Sequence, residues 1–242
     1  LEVQQEVSHW VATYQQVLAP EEKRVALFSK NSKELYFSIL ALWELGKELL
    51  FLNTHLTLAE LTFQLKDAQV KTIIGAPETQ ALLEEISFVD VQPMIKKQHS
   101  LSRQEFQQPS DLESVASIMY TSGTTGQPKG VLQRFKNHLA SARGTQENMG
   151  ITAEDCWLCA VPLFHISGLS IVVRQLVLGC SIRLYDKFDE QQVTQDLQEG
   201  RGTVISVVAT MLQKLLSVYP EAGYSVSFKG MLLGGGPIAP DK

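Results

Sequence analysis

The sequence predicts an α/β fold of layered, largely parallel sheets with flanking helices. Three observations carry that expectation. Apolar periodicity alternates along the chain between short strand-like runs and longer helical stripes. Strand-helix pairs follow one another directly, which with right-handed crossovers gives parallel strands. The composition, 44% hydrophobic and 19% charged with 16 Gly and 9 Pro in 242 residues, is that of a chain able to bury a core.

Arg24–Phe28 reads as a buried strand. Asn31 or Ser32 offers a cap to a helix in which Leu35, Ile39, Leu42 and Trp43 recur at helical spacing, and Gly46 stops it. Glu48–Leu52 is the next strand. Thr57-Leu58-Ala59-Glu60 has the form of a capping box opening a helix along Leu61, Phe63, Leu65 and Ala68. Lys71–Gly75 is a third strand, with a helix near Thr79–Ile86. Residues 92–111 mix charge, Gln, Ser and Pro without periodicity, so a linker is expected there, between sub-lobes of about 1–91 and 112–242. Order returns with a strand over Val115–Tyr120 and a helix from Asn137 towards Gly150. Trp157–Val161 is a buried strand, Leu169–Leu178 a helix, Ser181–Tyr185 a strand, Asp189–Gln198 a helix and Thr203–Val208 a β-branched strand. Thr210-Met211-Leu212-Gln213 is expected to cap a last helix with Met211, Leu212, Leu215 and Leu216 on one face. The chain has no internal repeat. It begins with Leu rather than Met and closes on a Gly/Pro stretch, 234–242, that leaves a parallel layer short of cover; both are expected marks of a longer polypeptide.

Charge excludes several functions. With 21 Lys+Arg against 26 Asp+Glu the net charge is −5, so no global field grips nucleic acid or an anionic membrane. Charged residues interrupt every apolar run before the roughly 18 residues of a spanning helix, so no membrane insertion is expected. Leu1–Glu6 has neither the positive start nor the apolar core of a signal peptide. Cys156, Cys159 and Cys180 make no even disulfide framework, which points to the cytoplasm. Cys156-x-x-Cys159 has the spacing of a zinc or redox pair, but no second pair follows, and no metal site is expected.

The most informative stretch is Tyr120-Thr121-Ser122-Gly123-Thr124-Thr125-Gly126-Gln127-Pro128-Lys129-Gly130-Val131, directly after a strand. From Thr121 to Gly130 it holds four hydroxyls, three glycines and a lysine, without a carboxylate. Glycines bring backbone N–H groups close to a ligand, hydroxyls add hydrogen bonds, and Lys129 adds a point charge, a set suited to phosphate oxygens. It is not a Walker A loop, because Pro128 precedes Lys129 and disfavours helical geometry at Gln127. Composition alone also fits a plain surface loop, since Ser, Thr and Gly are ordinary turn residues.

Taken in order, Thr121 to Val131 resembles the phosphate-binding signature of the adenylate-forming enzymes, which include acyl- and aryl-CoA synthetases, luciferases and peptide-synthetase adenylation domains. Val161-Pro162-Leu163-Phe164-His165-Ile166-Ser167-Gly168-Leu169 resembles the Pro-Leu-Phe-His-x-x-Gly element of CoA ligases. Leu232-Leu233-Gly234-Gly235-Gly236-Pro237 resembles the family's glycine turn. Val131-Leu132-Gln133-Arg134-Phe135-Lys136-Asn137-His138 is similar to the form found in the branch that ligates o-succinylbenzoate to CoA in menaquinone biosynthesis.

The resemblance implies a fold, a reaction and a set of site residues. The 242 residues would be part of the N-terminal ATP- and acyl-binding domain of a ligase whose mobile C-terminal domain lies outside this sequence. ATP activates a small-molecule carboxylic acid as its acyl adenylate, and coenzyme A takes the acyl group, with Mg²⁺ on the nucleotide. Ser122, Gly123, Thr124, Thr125, Gly126 and Lys129 would hold the β- and γ-phosphates, with Thr121 near the α-phosphate. His165 would line the pocket beside the carboxylate, and Gly235, Gly236 and Pro237 would border adenine and the acyl group. Lys129 and His165 are the candidate catalytic residues. Arg174 could meet a second carboxylate, although a surface position is its more ordinary fate. The family's Mg²⁺ glutamate, ribose aspartate, hinge and C-terminal lysine have no counterpart here, so the chain alone is expected to be nearly inactive. Another acyl- or aryl-acid CoA ligase remains an alternative, as does a noncatalytic nucleotide-binding or scaffold module. A homo-oligomer also stays open.

Overall fold

The structure is a computed structural model that describes residues 2–96, 111–121 and 127–235. The chain forms two compact units, Leu1–Asn137 and His138–Lys242.

The first unit opens with α1 (Glu2–Val17), a helix that the sequence reading did not anticipate. Val7, Trp10, Val11 and Tyr14 form its buried stripe, and Tyr14 Oη lies 2.5 Å from Ser38 Oγ. Then come β1 (Arg24–Phe28), α2 (Lys33–Glu44), β2 (Glu48–Phe51), α3 (Leu58–Asp67) and β3 (Thr72–Gly75). A 3₁₀ turn (Pro77–Thr79), α4 (Gln80–Leu83), β4 (Asp90–Pro93), β5 (Val115–Thr121) and β6 (Lys129–Arg134) complete it. The sheet order is β4-β3-β1-β2-β5-β6, parallel except for the β5–β6 pair. All four residues of β2 and of β3 are buried, as helices on both faces of a parallel sheet require. Ala26, Phe28, Leu50, Leu61, Leu65, Ile73 and Ile118 share one core. Ser32 caps α2, its Oγ accepting from Leu35 N–H, and Thr57 and Glu60 form the expected capping box of α3.

α5 (Phe135–Met149) runs across the boundary in sequence. In the second unit follow β7 (Cys156–Cys159), α6 (Ile166–Leu178), β8 (Ser181–Leu184), α7 (Glu190–Gln198), β9 (Val204–Val208), α8 (Ala209–Ser217) and β10 (Gly230–Gly234). Its sheet is parallel, in the order β10-β9-β7-β8. Two buried carboxylates staple it. Asp155 accepts from Lys229 Nζ at 2.7 Å and Thr203 Oγ1 at 2.8 Å; Asp196 accepts from Arg183 Nε at 2.5 Å, Arg201 Nε at 2.6 Å and Tyr185 Oη at 2.5 Å.

One cap expectation is corrected. α8 begins at Ala209 with Val208 at the N-cap and no side-chain cap, so Thr210 sits inside the helix rather than before it. Met211 and Leu215 are buried, whereas Leu216 is 61% exposed.

Candidate active site

The signature segment joins β5 to β6. Those strands are antiparallel, and their register pairs Thr121 with Lys129 and Tyr120 with Gly130. Residues eight apart in sequence are therefore direct cross-strand neighbours at the base of the segment. Opposed residues in an antiparallel pair share a face, so Thr121 and Lys129 point to one side and Tyr120 and Gly130 to the other. Thr121 and Lys129 are both exposed. Ser122, Gly123, Thr124, Thr125 and Gly126 lie outside the described residues, as do Gly236 and Pro237.

In the second unit, His165 follows β7 and occupies the N-cap position of α6, with φ −108° and ψ 153°. Its backbone carbonyl accepts from Gly168 and Leu169 N–H, both at 3.0 Å. The imidazole is exposed and tilted against the Phe164 ring, centroids 4.7 Å apart. Gly168 explains the spacing of the element: a Cβ there would stand 2.2 Å from the Pro162 carbonyl oxygen, so only glycine lets the first turn of α6 close over the Pro162–Leu163 backbone. Gly235 follows β10 with φ +92°, a left-handed conformation, and a Cβ there would meet Val208 Cγ1 at 3.1 Å.

Topology brings these pieces to one edge of the second sheet. The chain leaves β7 towards β8 on one side and β9 towards β10 on the other, so β7 and β9 flank the switch point where the connections part. Ligands of open α/β sheets bind outside the carboxyl ends of the strands at such a point. The His165 segment follows the carboxyl end of β7, and α8, with its uncapped first turn, follows that of β9. His165 and Gly235 thus share the carboxyl edge of one sheet.

Arg174 on α6 is buried, only 6% exposed, which overturns the surface position expected for it. Its guanidinium stacks over the Trp157 ring at 4.7 Å and Nε donates to Thr145 Oγ1 at 3.1 Å. Nη1 is buried without a hydrogen-bond partner among the described residues, which also provide no carboxylate ion pair to this arginine. Burial pushes its pKa below the ordinary value. Its signal in the sequence was a lone charge within the apolar run from Leu169 to Leu178. His138, in the stretch after the signature, is also buried, and burial pushes its pKa down to about 4, so it stays neutral at pH 7.

No group of three or more His, Cys, Asp or Glu side chains among the described residues is arranged to hold a metal ion. A cavity of 560 Å³ opens in the first unit near the carboxyl ends of β1, β3 and β4, lined in part by Trp10, Lys30, Phe37, Glu78 and Met94. It includes none of the expected site residues, is mixed in charge and has no unpaired buried polar atom among its described lining, so it carries no assignment.

The AMP-binding enzyme family model matches residues 16–242. The chain is 99% identical, over its whole length and 50% of the relative's, to a 2-succinylbenzoate–CoA ligase of Enterococcus faecalis (strain ATCC 700802 / V583). It is 43% identical to that of Listeria innocua serovar 6a, covering 90% of this chain and 45% of the relative. Among solved structures, the O-succinylbenzoate coenzyme A synthetase of Bacillus subtilis in complex with AMP is 32% identical, with a TM-score of 0.87 over 99% of this chain and 62% of that one. The same enzyme has been solved with the acyl-adenylate intermediate OSB-AMP and with ATP and magnesium, each at a TM-score of 0.86, the chain covering 98% of itself and 62% and 50% of those chains. The chain spans about half the length of the curated relatives it matches. It belongs to the AMP-binding enzyme family.

Proposed function

We propose that this chain is the nucleotide- and acid-binding part of an AMP-forming acid–CoA ligase acting on 2-succinylbenzoate in the cytoplasm. The observation that carries the reading is the cross-strand pairing of Thr121 with Lys129, which gathers a hydroxyl and an ammonium at the base of a segment rich in glycine and hydroxyls.

A carboxylate is a poor acyl donor because oxide would have to leave. In the proposed reaction a carboxylate oxygen attacks the α-phosphorus of ATP, the bond to the β-phosphate bridging oxygen breaks, and pyrophosphate departs. The CoA sulfur, losing its proton, then attacks the acyl carbon and AMP leaves. The first step brings one anion onto another, so fixed donors must offset the phosphate charge before reaction. Lys129, Thr121 and the adjoining amides and hydroxyls take that role. His165 stands at the wall of the acid pocket. Mg²⁺, when bound to the nucleotide, offsets further phosphate charge. The described side chains provide no carboxylate cluster for it, so no step is assigned to this chain through the ion.

The dicarboxylate substrate is favoured over simple monocarboxylic acids by Arg174. A buried guanidinium with an unpaired donor is costly unless an anion answers it. The second carboxylate of 2-succinylbenzoate has the charge to do so.

The test is acid-dependent exchange of pyrophosphate into ATP by the full-length enzyme. Lys129→Ala is expected to lower exchange about ten- to hundredfold, the effect of removing one charge-assisted donor from the transition state. Exchange at the wild-type rate would overturn the phosphate role, and a full-length protein that never exchanges would favour the scaffold reading. Arg174→Gln is expected to raise KM for 2-succinylbenzoate about tenfold more than KM for benzoate. Equal effects on both acids would remove Arg174 from substrate recognition.

A further inference from the structure

β2 pairs with β5 only through Leu49–Ser117, Leu50–Ile118 and Phe51–Met119. Beyond Met119 the sheet has ended on that side, and Tyr120 and Thr121 are paired to β6 alone. The two last pairs of the hairpin therefore project as a two-stranded ribbon, and such ribbons are strongly twisted and marginally stable in water. Yet this ribbon carries the Thr121–Lys129 pair on one face.

The opposite face is held. The Tyr120 ring lies flat against Gly130, where a Cβ would come within 3.1 Å of the ring. Phe63 packs edge-on against the same ring, centroids 6.3 Å apart. The phenol donates to Asp67 Oδ2 at 2.5 Å and approaches the Gln64 carbonyl at 3.3 Å, both in the last turn of α3. Asp67 is the last residue of that helix, and α3 is itself fixed to the core by Leu61 and Leu65. The phenol thus joins the projecting end of the hairpin to a helix packed on the core through Leu61 and Leu65.

We propose that Tyr120 and Asp67 are positioning residues for nucleotide binding: a latch between β5 and α3 that sets the angle of the Thr121–Lys129 pair. Gly130 belongs to the same device, because any side chain there would lift the ring and open the latch. The inference rests on the phosphate-binding reading of that pair. Burial and the neighbouring Asp67 carboxylate hold the Tyr120 phenol protonated well above its ordinary range, so it remains a donor throughout the working pH range. Neither Tyr120 nor Asp67 needs to touch substrate for the device to work.

The test uses the full-length enzyme and steady-state pyrophosphate exchange with 2-succinylbenzoate. Tyr120→Phe keeps the ring and removes the donor; KM for ATP is expected to rise about fivefold, the value of one hydrogen bond, with KM for the acid and the melting temperature unchanged. Asp67→Ala should reproduce that change, and the double variant should be no worse than either single one, because both delete the same bond. A wild-type KM for ATP in Tyr120→Phe, additive effects in the double variant, or ATP and acid constants that deteriorate together with melting temperature would each overturn the latch. Lys129→Ala separates this result from the reading beneath it. If Lys129→Ala raises KM for ATP and Tyr120→Phe does not, the latch alone fails; if Lys129→Ala is also silent, the phosphate-binding reading has failed.

Discussion

Gly168 shows how a single residue type can be dictated by backbone rather than by ligand. His165 N–H donates to the Pro162 carbonyl, and Gly168 N–H donates to the His165 carbonyl, so the segment folds tightly back as α6 begins. A methyl group at 168 would stand 2.2 Å from the Pro162 carbonyl oxygen and 2.9 Å from Leu163 Cα, atoms that no rotamer change can withdraw. Gly168→Ala is therefore expected to destabilise the full-length enzyme by about 1 to 3 kcal/mol, as overpacking does, and to displace His165. Thermal unfolding checks the first effect. A fall in kcat/KM for the acid, larger than that for ATP, checks the second. The identity and order of Pro162, His165 and Gly168 were legible in the sequence because the chemistry is written in residue types. The burial of Arg174 was not, because an arginine has no fixed fate until the helix face and its neighbours are known; the stacked Trp157 and the hydroxyl of Thr145 come from elsewhere in the chain.

Among the elements, those read correctly from sequence were the ones with a strong local cause. β2, β3 and β9 are apolar runs buried on both faces, and α3 carries a capping box whose two halves are three residues apart. The strands missed lie at sheet edges. β4 reads Asp-Val-Gln-Pro, and β6 reads Lys-Gly-Val-Leu-Gln-Arg with Leu132 half exposed; edge strands need no apolar alternation, and their pairing partners are set by topology. α1 was missed although Val7, Trp10, Val11 and Tyr14 have helical spacing, because Gln and Glu elsewhere in the segment dilute the stripe. The Asp196 staple makes the stability of the second unit depend on pH. Burial raises the Asp196 pKa, but hydrogen bonds from Tyr185, Arg201 and Arg183 outweigh it and hold the carboxyl below its ordinary value. A depressed carboxylate contributes stability that is complete above the unfolded pKa of about 3.9 and is lost as pH falls through the folded value. Asp196→Asn is expected to cost about 2 kcal/mol at pH 7, less than a fully buried pair because both arginines are 39% exposed. Urea midpoints should differ clearly between variant and wild type at pH 7, begin to approach each other only below about pH 3.9, and meet once the pH has fallen through the lower folded value.

At the scale of the whole molecule, each unit taken by itself offers different groups to the proposed reaction. The first presents the Thr121–Lys129 pair from a hairpin at the end of its sheet order, and the second presents His165 and Gly235 along the carboxyl edge of its own parallel sheet. Binding groups alone do not make an adenylating enzyme. Catalysis comes from donors that meet the transition state together, and groups acting as a unit lose far more than their share when one is absent. The chain spans about half the length of the Enterococcus faecalis ligase it matches, and the resemblance to the family implies that a metal-binding glutamate, a ribose-binding aspartate and a C-terminal lysine come from outside these 242 residues. A polypeptide of residues 1–242 is therefore expected to keep its α/β circular dichroism spectrum while its 2-succinylbenzoate-dependent pyrophosphate exchange falls at least about a thousandfold below that of the full-length ligase. Adding the other half of the full-length ligase as a separate chain should restore exchange in proportion to how much of the two halves associates. Exchange by residues 1–242 alone at a rate near that of the full-length enzyme would mean that these residues hold the complete reacting constellation, with the acid, the nucleotide and every essential donor supplied by the two sheets.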